Sequence, residues 1–241
     1  MSPKTKRKKY LGCLIAFRIF LRVTKVVFLR QKEFENSGAY VRPQSFVIKE
    51  SRTEKNVNGH PVIEPITLTG QFVPFRHVLK GFLELLSVLT DVLEYVEKLE
   101  KSFHETGYME NIIQGELWRN KIKPRFPGKQ MLPLRFSFDD YETNKELGAH
   151  TGVHKLGAGY VKIGCLPPKF ASTLENMFLA VLFHFSDRTC GNRAVFRKVI
   201  EEIKFREDTG ISVCTSEGLS QIYFTLALVE GFNLGSNSIL E

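Results

Sequence analysis

The sequence predicts a mixed α/β fold, a sheet covered by helices, on three observations. Leu132, Leu134, Phe136 and Phe138 alternate with Pro133, Arg135 and Ser137, the period-two pattern of a strand with one buried face. Residues 221–229 form a continuous apolar run rich in β-formers, the kind buried on both faces of a central sheet. Between them in type, Phe75, Val78, Leu79, Phe82, Leu85, Leu86, Leu89, Val92, Leu93, Val96 and Leu99 recur at helical spacing.

In chain order, residues 1–30 come first. They hold Lys4, Lys6, Arg7, Lys8, Lys9, Arg18, Arg22, Lys25 and Arg30 and no acid. The rest of the chain then has 25 basic against 26 acidic residues, so the net charge of +8 belongs to this arm and the body is near neutral. A folded domain that grips duplex DNA over many phosphates needs a basic face, which the body's total does not supply. The arm admits three readings. Its Lys/Arg run suits nuclear import or loose phosphate binding. A basic start followed by apolar residues 11–17 has the outline of a signal peptide, although Arg18 and Arg22 interrupt the run. Arg18, Arg22 and Lys25 also fall on one helical stripe, which suits a membrane surface or a partner groove.

Residues 31–65 are polar, with turn signals at Asn36-Ser37-Gly38 and Asn56-Val57-Asn58-Gly59, and predict loop with a short strand at 46–48. The apolar stripe predicts a long helix over 75–102, or two helices bent near Gly81, broad enough to pack on other elements. A short helix is expected near 112–118, followed by a basic, proline-broken loop with Lys121, Lys123, Arg125 and Lys129. The alternating strand then runs into an acidic turn, Asp139-Asp140-Tyr141-Glu142. A second strand is expected at 156–165, stopped by Pro167-Pro168, then helices at 172–185 and 194–205, and the apolar strand at 221–229.

The 241 residues suffice for one average domain with a lead-in, or for two small ones, and no stretch reaches the roughly 20 apolar residues of a membrane-spanning helix. Cys13, Cys165, Cys190 and Cys214 lie far apart with no C-x-x-C pair, which fits a reduced intracellular protein.

Three constellations could carry chemistry. Asp139, Asp140 and Glu142 put three carboxylates in four residues at a strand end, where hard oxygen ligands can hold Mg²⁺; a solvated turn explains them as well, and spacing alone favours that turn. His150 and His154 stand four apart, a zinc spacing on a helix, but Gly148, Gly152 and Gly157 oppose a helix there. His150 could instead orient a carboxylate or phosphate beside the acids, or simply lie at the surface. The third is the Gly/Asn-rich turn at 231–237 after the last strand, a usual ligand position in open α/β sheets, though without a nucleotide-binding glycine pattern.

A series of short segments resembles, in one order, a block of animal transposon-encoded proteins. They are Gln71-Phe-Val-Pro-Phe75, Ile113-Gln-Gly-Glu-Leu-Trp118, Leu132-Pro-Leu-Arg-Phe-Ser-Phe-Asp-Asp-Tyr-Glu142, Leu147-Gly-Ala-His150, Cys165-Leu-Pro-Pro168, Leu174-Glu-Asn-Met-Phe-Leu179 and Gly231-Phe-Asn-Leu-Gly-Ser-Asn-Ser-Ile-Leu240. The block is similar to the catalytic region of cut-and-paste DNA transposases of the CACTA type and covers about residues 70–241.

That resemblance implies an RNase H-like core whose acids hold two metal ions for strand cleavage and joining. Asp139 or Asp140, with Glu142 beside them, would supply the first metal-binding acid. The second belongs after the 221–229 strand, where the family's Gly-Asp-Asn-Leu-Gly stands here as Gly231-Phe232-Asn233-Leu234-Gly235. Phe232 takes the acid's place and offers no oxygen; Asn233 could offer only a neutral one. A third acid and a Cys-containing segment would follow beyond Glu241. The implied division is a basic arm (1–30), a loop-rich linker (31–70), a helical region (71–130) and a partial RNase H-like domain (131–241).

The expectation is a transposase remnant, nuclear, without catalysis, touching DNA weakly through Lys4, Lys6, Arg7, Lys8, Lys9, Lys121, Lys123, Arg125 and Lys129. The alternatives are an active nuclease, which would need Mg²⁺, and a non-enzymatic interaction module built on the basic amphipathic start.

Overall fold

The computed structural model describes residues 40–57, 60–142, 155–171, 173–216 and 218–231. The basic arm, His150, His154, Phe232 and Asn233 lie outside the described residues. Seven strands form one mixed sheet, and the expected α/β class is observed. They are β1 (Gln44–Val57), β2 (His60–Phe72), β3 (Met131–Glu142), β4 (Lys155–Ile163), β5 (Phe178–His184), β6 (Ile211–Thr215) and β7 (Gly218–Gly231), in the spatial order β1-β2-β5-β4-β3-β7-β6. Every neighbouring pair is antiparallel except β3 and β7, which are parallel. The helices are α1 (Phe75–Leu83), α2 (Val88–Thr106) and α3 (Asn192–Thr209), with shorter turns between.

Several local expectations are corrected. The stretch read as loop with a short strand at 46–48 is a long hairpin, in which Val57 registers with His60 across Asn58-Gly59. Asn-Gly, the dipeptide that two-residue hairpin connections favour, stands between Val57 and His60 in the sequence. The helical stripe breaks at Glu84–Ser87, where Ser87 is left-handed (φ 64°), and Gly81 lies inside α1. The helix expected at 172–185 is not formed over residues 173–185. A single helical turn at Pro168–Ala171 is followed by β5. A short apolar run satisfies either period, and here the sheet offers β5 a partner on both sides, β2 and β4. β6 had no counterpart in the sequence reading. β7 lies inside the sheet, as expected, but Leu228 is 38% exposed, so the strand is not covered on both faces throughout.

One face of the sheet carries an aromatic core. Phe196 of α3 meets the rings of Phe136, Phe138 and Phe183 edge-on at 5.6, 5.6 and 5.7 Å between centroids. Phe138 and Phe183 stack at 5.9 Å. These rings lie across β4 at Gly157 and Gly159, where an added Cβ would come within 2.7 Å of Phe183 or Phe136. Gly157, one of the glycines that argued against a helix, and Gly159 thus leave room for phenyl rings. α1 lies beside α3 and is tied to it by Arg76, whose Nε stands 3.4 Å from Glu202.

Candidate functional site

β3 carries the candidate site because its alternation continues past the apolar residues. Leu132, Leu134, Phe136 and Phe138 are buried, while Arg135 and Ser137 are partly exposed and Asp139 is exposed. Asp139 and Asp140 were expected in a turn that closes the strand. They lie within it: Asp139 registers with Ala158, Asp140 with Gly157 and Glu142 with Lys155. Successive residues of a strand face opposite sides, so the two aspartates point apart. A turn would have let them converge on one ion; an extended backbone does not.

Each aspartate has its own partners. Asp140 is ion-paired with Lys155, whose ammonium also lies over the Phe185 ring at 4.4 Å. The Asp139 carboxylate accepts the Asp140 backbone N–H at 2.9 Å. On the Asp139 face, the parallel register of β3 and β7 brings in a carboxylate that sequence reasoning missed. Ser137 registers with Glu230, and its hydroxyl donates to the Glu230 carboxylate at 3.2 Å. Glu230 is also ion-paired with Arg135, and Lys162 of β4 stands 3.4 Å from it. The signal that could have found it is a carboxylate one residue past a buried apolar strand, at the carboxyl end where sheets place ligand groups.

The electrostatics of this face are those of a filled network. Burial lowers the pKa of Arg135. Burial, and then repulsion from Arg135, lowers that of Lys162. Tyr160, which registers opposite Ser137, is raised by burial and then by the Tyr141 and Asp139 charges. Two cations on one carboxylate make the cluster compact and leave Glu230 little capacity to bind a third.

Mg²⁺ asks for several hard oxygens in a near-octahedral shell. Among the described residues no group of three or more His, Cys, Asp or Glu side chains converges. Asp139 and Asp140 face opposite ways, and Asp140 and Glu230 already hold cations. The described residues do not fit the two-metal donor set that the resemblance implies.

The basic loop is not brought to this site. Lys129 precedes β3, and eight strand steps from Met131 to Asp139 span roughly 26 Å. Lys129 donates to the Glu207 carbonyl at 2.6 Å, at the carboxyl end of α3, and lies 4.7 Å from the Tyr223 ring. Lys123 is paired with Glu100. Arg125 lies over Phe126, and Lys121 is exposed. Of the four basic residues of this loop, Lys123 and Lys129 thus have polar partners within the protein.

Gln114, Trp118 and Cys165, from segments that resemble the transposase block, are buried in the core. Gln114, fully buried, accepts from the Glu110 and Asn111 N–H groups and donates to the Leu99 carbonyl at 2.7 Å. Trp118 is buried nearby, and Cys165 is fully buried, with desolvation pushing its thiol up to about 12.

No protein-family model matches the chain, and the search of curated proteins finds no match to it.

Proposed function

We propose that this chain is a transposase-derived protein of RNase H-like type in which DNA cleavage is lost and nucleic-acid contact is weak, salt-dependent and indifferent to sequence. The reading rests on the ordered segments that resemble the transposase block, and one observation in the fold carries it further. β3 and β7 are parallel neighbours, with Phe138 opposite Gly231. Asp139 thus stands one residue past the last pair of this register. The resemblance implies a first acid at Asp139 or Asp140 and a second next after Gly231 in the sequence, acids that a two-metal site brings together. This chain has phenylalanine at the second position.

The loss of activity is supported by what the remaining carboxylates do. Asp140 pairs with Lys155, and Glu230 pairs with Arg135 and Lys162. Cations of the protein take the role that metal ions would have in an active site. The polarity of the neighbouring strand end has become structural.

The test is incubation of the full chain with supercoiled DNA and Mg²⁺ or Mn²⁺, beside Asp139→Asn and Asp140→Ala. The expected result is no nicking by any of the three. Metal-dependent nicking by the wild type that disappears in either variant would overturn the loss of catalysis and favour an active nuclease. DNA binding that survives high salt, or selects one sequence strongly, would count against the binding half.

A further inference from the structure

Strand β1 ends the sheet, so one of its edges has no partner strand among the described residues. β2 joins the rest of the sheet through Gln71 and Phe72 alone. Residues 49–57 and 60–68 therefore continue as a two-stranded ribbon paired only with itself. Such a ribbon is marginal in water, where three or more strands are needed for independent stability. It is also partly apolar. On the face that continues the core, Ile66 is 37% and Val62 41% exposed, and on the other Ile63 is 67% exposed.

The two edges of the ribbon are not equivalent. β2 contains Pro61 and Pro65, which have no N–H to give a further strand. β1 has no proline from Gln44 to Val57. Charge argues against a nucleic acid as the partner: residues 49–66 hold three Lys/Arg (Lys49, Arg52, Lys55) and three acids (Glu50, Glu54, Glu64).

We infer that β1 pairs antiparallel with β1 of a second copy of this chain, with Thr53 at the two-fold axis. In that register Arg52 of each copy stands directly opposite Glu54 of the other, so symmetry makes the pair twice. Both side chains are exposed. A register centred on Arg52 instead sets Lys49 against Lys55 and Glu50 against Glu54, which like charges oppose. Pairing turns two separate two-strand ribbons into one four-stranded sheet and removes the open edge. This inference does not depend on the proposed function.

Sedimentation equilibrium on the full chain tests it. The wild type is expected to dimerise, and Arg52→Glu and Glu54→Arg each to weaken association about tenfold. The Arg52→Glu/Glu54→Arg double variant restores the opposite-charge pairs and with them the dimer. A wild type that stays monomeric at every concentration it tolerates overturns the inference. So does a dimer indifferent to either single change, or one the double change fails to rescue. Directly opposite strand residues lie within disulfide reach. Thr53→Cys is therefore expected to give a cross-link that peptide mapping assigns to residue 53 of both copies, and its absence also overturns the inference.

Discussion

Ser137 and Glu230 stand opposite each other in the only parallel strand pair described, with the Ser137 hydroxyl donating to the carboxylate at 3.2 Å. Arg135 and Lys162 complete the cluster. Removing the carboxylate leaves two cations facing each other on a partly covered sheet. Glu230→Ala is expected to cost about 1–2 kcal/mol in urea unfolding, a figure reduced from that of a buried pair because the groups are a quarter to a third exposed. Ser137→Ala should cost less, about 0.5–1 kcal/mol. If Glu230→Ala is neutral, the cluster is ornamental to the fold.

Glycine substitutions separate close packing from open backbone. At Gly159 a methyl group meets Phe136 at 2.7 Å and Val181 at 2.8 Å, so Gly159→Ala is expected to destabilise by about 1–3 kcal/mol. At Gly81, inside α1, nothing lies within 4 Å, and Gly81→Ala should stabilise by about 0.5–1 kcal/mol. Thermal unfolding of the two variants should shift in opposite directions.

Alkaline pH should unfold the protein through buried acids. The Cys165 thiol goes from 9.0 up to about 12 in the fold, and Tyr95 and Tyr160 are also raised by burial. A raised folded pKa means the native state keeps its proton after the unfolded chain has lost it. Stability from Cys165 is thus complete below about pH 9 and falls as pH climbs toward 12, by at most about 1.4 kcal/mol per pH unit for this one group. Denaturant melts at pH 8 and 10.5 measure it, and Cys165→Ala should flatten the slope. A thiol reagent at pH 8 should label exposed Cys214 quickly and buried Cys165 only on unfolding.

The Lys129 contact predicts a split between stability and DNA affinity. Its ammonium serves the Glu207 carbonyl and the Tyr223 ring, so Lys129→Ala should lower stability by about 1 kcal/mol. DNA affinity and its salt slope should stay unchanged. Lys121→Ala should leave the fold intact and flatten any salt slope by about one unit per lost phosphate contact. Filter binding at two salt concentrations, with a thermal melt of each variant, tests both. A Lys129→Ala change that weakens DNA binding without touching stability would refute the structural role.

Amino-acid order by itself determined the α/β class, β3, β4, β7 and α3 to within a few residues, and the aspartates at the carboxyl end of β3. These features are local: period-two alternation, glycine and proline stops, and helical spacing are all written within a dozen residues. β5 was misread because its run of six apolar residues fits either period, and only strands on both sides decide between them. The hairpin of β1 and β2 was misread because most of β2 is exposed and carries no burial alternation until its last residues.

The candidate site divides the same way. Asp139 and Asp140 stand out in sequence, but extended backbone sends them to opposite faces, and a nearby acidic pair gives no hint of that. Glu230 meets Ser137 across a sequence separation of 93 residues, through a parallel register that only the folded sheet sets. Composition marks which residues are chemically capable; the pairing of distant strands decides which of them touch.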